Sequence, residues 1–299
     1  MRSHWLLRKI GLGLLAAILA HPLSASEAVR CVVDDAGQEL CLTTPAQRIA
    51  TLSPGATELM FAAGAGEQVI AGVNYSDYPA AALKLPLVGT HTRIDLEALL
   101  ALKPDLVITW VSGNPAAQLE MLKALKLPMF SIEPRSFEDV ADVIERLATL
   151  AGTEPAGFAE AKRFRHSIAT VAEQYRHAKP ISVFYQVWQT PLMTVNDEHL
   201  IGKVIQLCGG VNVFGQMPRL IPRISNEVVL ESDPQVILTG SVEGIADNQL
   251  DHWKSYANMS AVMKGNLFFT PASPISRPTP SLLEASRDIC QKLDIARAR

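Results

Sequence analysis

The chain has 299 residues, room for two lobes of about 100–150 residues with a proper core in each. Hydrophobic residues make up 48% and charged residues 19%, an ordinary globular mix. The formal net charge is −3, so nothing in the charge balance points to a nucleic-acid partner.

The first segment differs from the rest. Arg2, Arg8 and Lys9 are positive, and the apolar run from Ile10 to Ala20 is too short to span a bilayer comfortably. Leu23-Ser24-Ala25 offers small residues for cleavage. Residues 1–25 read as a secretory signal peptide, with a membrane anchor as the alternative. The mature protein is then expected in the periplasm. No cysteine stands at the cleavage site, which argues against a lipid anchor.

Residues 26–45 predict a hairpin. Cys31 and Cys41 flank the turn residues Asp35-Ala36-Gly37. An even number of cysteines in an oxidising compartment favours disulfides over metal ligation. Cys31, Cys41, Cys208 and Cys290 allow three pairings in principle. The hairpin makes Cys31–Cys41 natural and leaves Cys208 with Cys290.

Residues 46–152 then alternate strand and helix as a first lobe. Arg48 to Leu52 is a strand, and Ser53-Pro54 with Thr57 and Glu58 is helix-start chemistry. Val69 to Val73 returns as a strand, Leu96 to Leu102 as a helix, Leu106 to Trp110 as a strand, Gln118 to Leu125 as a helix, and Met129 to Ile132 as a strand. Residues 153–178 contain apolar positions at helical spacing and no proline after Pro155. They predict one long bridging helix. In 179–299 the alternation restarts, from the strand Ile181 to Gln186 through the strands Val236 to Thr239 and Leu267 to Thr270 to a helix from Ser281. The fold class is therefore α/β, with two lobes, each a mostly parallel sheet flanked by helices, joined by one helix.

Several segments carry a resemblance. They are Thr51-Leu-Ser-Pro54 with Thr57-Glu58-Leu59, Tyr75-Ser76-Asp77-Tyr78-Pro79, and Asp95-Leu96-Glu97 running into Leu102-Lys-Pro-Asp-Leu-Val-Ile108 and Trp110. The second half adds Cys208-Gly-Gly-Val-Asn212, Ser225-Asn226-Glu227, and Arg277 with Pro280 before Cys290. Over about residues 46–295 the chain resembles the periplasmic binding proteins with a single bridging helix. Within them it is most similar to the vitamin B12-binding family of Gram-negative bacteria.

That resemblance implies a non-enzymatic protein that captures cobalamin or a related corrinoid between its lobes. It would deliver the ligand to an ABC permease dimer with cytoplasmic ATPase subunits. It implies ligand contacts at Tyr75, Trp110 and the loop Ser273-Pro274-Ile275-Ser276-Arg277, docking glutamates at Glu97 and Glu227, and a Cys208–Cys290 disulfide. Family aromatics fall on His91, Val187, Met193, Ile221 and Pro274, so this cleft is less aromatic than the family's. Trp188, just after a strand, is a candidate to restore aromatic area. His91 lies in a loop, where its ring could ligate haem iron or corrinoid cobalt, hydrogen-bond, or meet solvent. Histidine spacing and the lack of Cys-x-x-Cys speak against a dedicated metal site, and no cofactor of its own is expected. The chain contains no phosphate loop, no Gly-x-Ser-x-Gly elbow and no His-Glu-x-x-His helix. A monomer is expected. Haem or ferric siderophores are the rival ligands in the same fold. An exported enzyme or a sensor domain is the rival of a different class.

Overall fold

The computed structural model describes residues 29–241 and 248–299. The expected signal peptide lies outside the described residues.

The chain opens with an antiparallel hairpin, β1 (Arg30–Val33) and β2 (Glu39–Leu42), in which Cys31 stands opposite Cys41 and is bonded to it. Its turn is wired to the neighbouring lobe. The buried Asp34 carboxylate accepts from Ala36 N, Gln38 N and Ser131 N, and the Asp35 carboxylate accepts from Glu133 N and Arg146.

The first lobe comprises β3 (Ile49–Thr51), α1 (Pro54–Ala62), β4 (Val69–Ala71), the short pair β5 (Gly89–Thr90) and β6 (Arg93–Ile94), α2 (Leu96–Ala101), β7 (Leu106–Trp110), α3 (Ala116–Ala124), β8 (Met129–Ile132) and α4 (Phe137–Ala151). Its parallel sheet has the order β4-β3-β7-β8. The strands are buried on both faces, as parallel sheets require. The hairpin turn covers the outer edge of β8, which would otherwise stand unpaired.

No helix was expected between Ile132 and Glu154, yet α4 fills that interval. Its signals are ordinary ones. Ser136 caps it by accepting from Asp139 N, and Gly152 ends it at φ 70°. Val140, Val143, Ile144, Leu147 and Leu150 make one buried stripe between them.

Helix α5 (Glu154–Tyr175) has 22 residues and is about 33 Å long at 1.5 Å per residue. It leads to β9 (Ile181–Gln186), the small pair β10 (Trp188–Gln189) and β11 (Leu192–Met193), α6 (Leu200–Leu207), β12 (Gly210–Asn212), α7 (Asn226–Ser232), β13 (Val236–Ser241), α8 (Ser260–Met263), β14 (Leu267–Pro271), α9 (Ala272–Ser276) and α10 (Leu282–Arg297). The second parallel sheet has the order β12-β9-β13-β14. In both lobes the strands thus run second, first, third, fourth. Cys208, after α6, is bonded to Cys290 on α10.

One apolar core runs through both lobes. Ala161, Phe164 and Val171 of α5 join Ile144 and Leu147 of α4 to Ile205 and Leu293 of the second lobe. Each sheet has a second, separate core on its other face.

Candidate functional site

In an open parallel sheet, ligands meet the chain at the carboxyl ends of the strands, where the strand order reverses. That place in the first lobe lies between β3 and β7. The segment after β3 is Leu52-Ser53-Pro54-Gly55. Ser53 accepts from Ala56 N and Pro54 opens α1, so the chain turns away at once and leaves the strand end open. Trp110 ends β7 and Ile132 ends β8. Tyr75 follows β4.

Ser53, Pro54, Gly55, Tyr75, Trp110 and Ile132 line a cavity of about 310 Å³, together with His91 and, from the second lobe, Ser276, Arg277 and Pro278. A smaller cavity of about 120 Å³ adjoins it. It shares Trp110, Pro134, Ser276, Arg277 and Pro278 and adds Glu133, His199, Leu220 and Ile275. Both lobes contribute to both spaces. The larger one is mainly apolar with a few converging polar groups, the usual make-up of a small-molecule site.

The tyrosine loop is held in an unusual shape. Tyr75 has φ 68°, a left-handed conformation that costs a bulky residue free energy. The residue is 74% exposed. Beneath it runs a buried hydroxyl chain. Thr51 Oγ1 and Thr57 Oγ1 lie 2.7 Å apart, and Thr57 Oγ1 donates to Ser76 Oγ over 2.9 Å. The Thr51–Thr57 segment and the Tyr75-Ser76 segment, separate in sequence, are thus one unit.

Arg277 reaches across from the second lobe. It donates to Asp77 Oδ1 over 2.8 Å and to the Tyr75 carbonyl oxygen over 3.0 Å. A second bridge lies deeper. The Glu58 carboxylate accepts from Ser281 N and Ser281 Oγ over 3.0 and 3.2 Å. Glu58 is 2% exposed. Burial pushes its carboxyl above the ordinary value, and bonds from Ser281 and Thr279 together with the nearby Arg277 pull part of the way back. The sequence had placed Glu58 as a helix-start carboxylate. It is instead a buried link between lobes.

Asn114 carries a role the sequence did not reveal. Its side-chain oxygen accepts from Trp110 N over 2.7 Å, and its Nδ2 donates to Leu52 O and His91 O over 2.8 and 2.9 Å. One amide thereby fixes three walls of the cavity. The only available sign was the turn sequence Ser112-Gly113-Asn114-Pro115.

The expected ligand residues divide. Tyr75, His91, Trp110, Ser276 and Arg277 line the larger cavity, and Ile275 lines the smaller. Ser273 and Pro274 line neither. The segment expected as a loop is a short helix, α9, that turns Ile275 inward to 2% exposure. Trp188 also lies outside both cavities. It is 60% exposed and donates from Nε1 to Thr190 O.

Glu97 and Glu227 are both exposed, each the second residue of its helix, α2 and α7. Each helix precedes the third strand, in chain order, of its lobe's parallel sheet. The two carboxylates therefore hold equivalent places in the two halves. The Glu227 carboxyl is held below its ordinary value, first by the Ser225 hydroxyl and then by its own backbone N–H. The expected cysteine pairs are both formed. Among the described residues no helix is long and apolar enough to cross a membrane.

Comparison with known proteins agrees with this fold. A family profile described as periplasmic binding protein matches residues 49–274. The vitamin B12-binding protein of Vibrio cholerae serotype O1 (strain ATCC 39541) is 38% identical over 253 residues, which is 84% of this chain and 91% of that one. The crystal structure of the periplasmic vitamin B12 binding protein BtuF of Vibrio cholerae superposes with a TM-score of 0.77 at 36% identity, covering 85% of this chain and 99% of that one. The periplasmic heme-binding protein RhuT from Roseiflexus sp. RS-1 superposes with a TM-score of 0.73 at 23% identity, covering 84% and 99%, a likeness of fold alone.

Proposed function

The chain belongs to the periplasmic binding protein family, and from that premise we propose that it captures cobalamin or a related corrinoid between its lobes and hands it to an ABC importer. The observation that carries the reading is the cavity at the carboxyl ends of the strands, built from Tyr75, Trp110 and Arg277 of opposite lobes. The likeness to vitamin B12-binding proteins at 38% identity supports the choice of ligand. A corrinoid is broad and apolar with a fringe of amides. Trp110, Ile132 and the prolines suit its faces, and the Tyr75 phenol and the Arg277 guanidinium suit its amide rim.

Glu97 and Glu227 are the docking groups in this reading. Two exposed carboxylates at equivalent places on two similar lobes match a partner with two-fold symmetry. Ligand release follows when docking separates the lobes and loosens contacts from both sides. An N-terminal signal peptide removed near Ala25 completes the proposal.

Two measurements test it. Calorimetric titration of the mature protein with cyanocobalamin, cobinamide and haemin should give corrinoid binding at micromolar affinity or tighter, about −8 kcal/mol or more favourable. Binding of haemin alone overturns the ligand assignment. The Glu97→Ala/Glu227→Ala protein should keep that affinity and lose stimulation of the reconstituted importer. Full transport by the double variant overturns the docking assignment.

A further inference from the structure

His91 occupies an unusual place in the cavity wall. Strands β5 and β6 pair Thr90 with Arg93, so His91 and Thr92 form the two-residue tip of a tight hairpin. The tip is fixed on both sides. Arg93 N donates to Thr90 Oγ1 over 3.0 Å, and Asn114 Nδ2 donates to the His91 carbonyl over 2.9 Å. The ring leans on Trp110, with centroids 5.7 Å apart and planes at 45°. Its backbone is thus rigid and its ring is propped by an aromatic neighbour.

The ring nitrogens have no hydrogen-bond partner among the described residues. Apart from the Tyr75 phenol, which stands on a residue 74% exposed, the other polar side chains of the wall are already engaged or have no lone pair to offer. Ser53 Oγ caps α1, Ser276 Oγ donates to Ala272 O, and the Arg277 guanidinium has no lone pair to offer. A neutral imidazole is a good donor to transition metals such as cobalt or iron, and a rigid, unpartnered one loses little entropy on coordinating.

We propose that His91 is an axial ligand to the metal at the centre of the bound macrocycle, and that the cleft therefore selects corrinoids with an exchangeable axial position. The proposal rests on the corrinoid reading above. In the step, a lone pair on a His91 ring nitrogen forms a bond to cobalt(III) and the cobalt–water bond breaks. The water leaves, and no electron or proton changes owner. A corrinoid whose axial position is closed by cyanide binds without this bond. Trp110 fixes the tilt of the ring, and Asn114 fixes its height.

The test compares aquacobalamin with cyanocobalamin on the intact mature protein and on the His91→Phe variant, which keeps an aromatic ring against Trp110. Calorimetry reports binding, and the visible spectrum reports the cobalt ligands. Wild-type protein should shift the aquacobalamin bands, leave those of cyanocobalamin in place, and bind aquacobalamin about ten-fold tighter. In His91→Phe the shift should vanish and the ratio of the two affinities should fall to near one. The ratio cancels any packing loss shared by both ligands. Aquacobalamin bound with an unshifted spectrum overturns the proposal, as does a shift that survives in His91→Phe. If neither corrinoid binds, the functional reading itself falls, and this inference with it.

Discussion

Trp110 is where the constraints on the site converge. It ends β7, its N–H is taken by Asn114, and its ring supports His91 while lining both cavities. Trp110→Ala should weaken corrinoid binding by about 10-fold to 100-fold, the loss expected for a central aromatic anchor, as measured by calorimetry. Two titratable groups near the cleft, the half-buried His199 and the buried Glu58, give stability an acid dependence of opposite signs. His199 is pushed down to about 4 by burial, and its Nδ1 accepts from Ile201 N, which needs the neutral ring. Its contribution is present above 6.5 and lost as pH falls toward about 4, on the order of 3 kcal/mol. Glu58 is raised by burial above its ordinary 4.5. Its contribution is fully present below 4.5 and lost as pH rises through its raised value. Thermal melts from pH 4 to 8 should therefore show a flatter acid-side fall in His199→Asn and a smaller loss on the rising side in Glu58→Gln. Unchanged profiles would refute these assignments. Tyr75, Trp110 and Arg277 were named from the family resemblance, and the structure sets all three on the cavity wall. The roles of Asn114 and Glu58 were not legible in the sequence, because their partners are set by tertiary packing, and Ser281 lies 223 residues from Glu58.

The elements were legible where one local signal dominated. Most strands of the two parallel sheets announced themselves as apolar runs, though the short β12 did not, and α5 did so as a long stretch of helical spacing. Helix α4 carries a cap, an amphipathic stripe and a closing glycine, signals as local as those of α5, and lies directly against it. The contact between these two helices is close because Gly157 has no side chain. A Cβ there would meet the Ala148 Cβ at 2.3 Å. Helix propensity alone would make Gly157→Ala stabilising by about 1 kcal/mol. The clash should reverse the sign and cost about 1–3 kcal/mol, read as a lower urea midpoint. A higher midpoint would mean that the helices separate more easily than this packing allows. The hairpin's disulfide was legible from the turn between its cysteines. Its task of covering the edge of β8 was not, because Asp34 and Asp35 meet Ser131 and Glu133 only in three dimensions.

At the scale of the molecule, the lobes repeat one strand order, and a continuous core along α5 joins them on one side. The cleft is spanned on the other side by polar bridges, Arg277 to Asp77 and Tyr75 and, deeper, Glu58 to Ser281. An apolar core resists separation, whereas a bridge such as Arg277–Asp77, whose carboxylate is half exposed, is weak. A small opening about α5 would part these polar bridges before the apolar core. The two-lobed plan and its single connecting helix were readable from the alternation of elements. The cavity itself was not, since its walls come from segments about 200 residues apart. Capture between lobes makes a direct demand on hydrogen–deuterium exchange with and without cyanocobalamin. Amides of residues 73–77 and 89–92 in the first lobe and 275–277 in the second should gain protection together on binding. Protection confined to one lobe, or none at either segment despite measurable binding, would contradict the account.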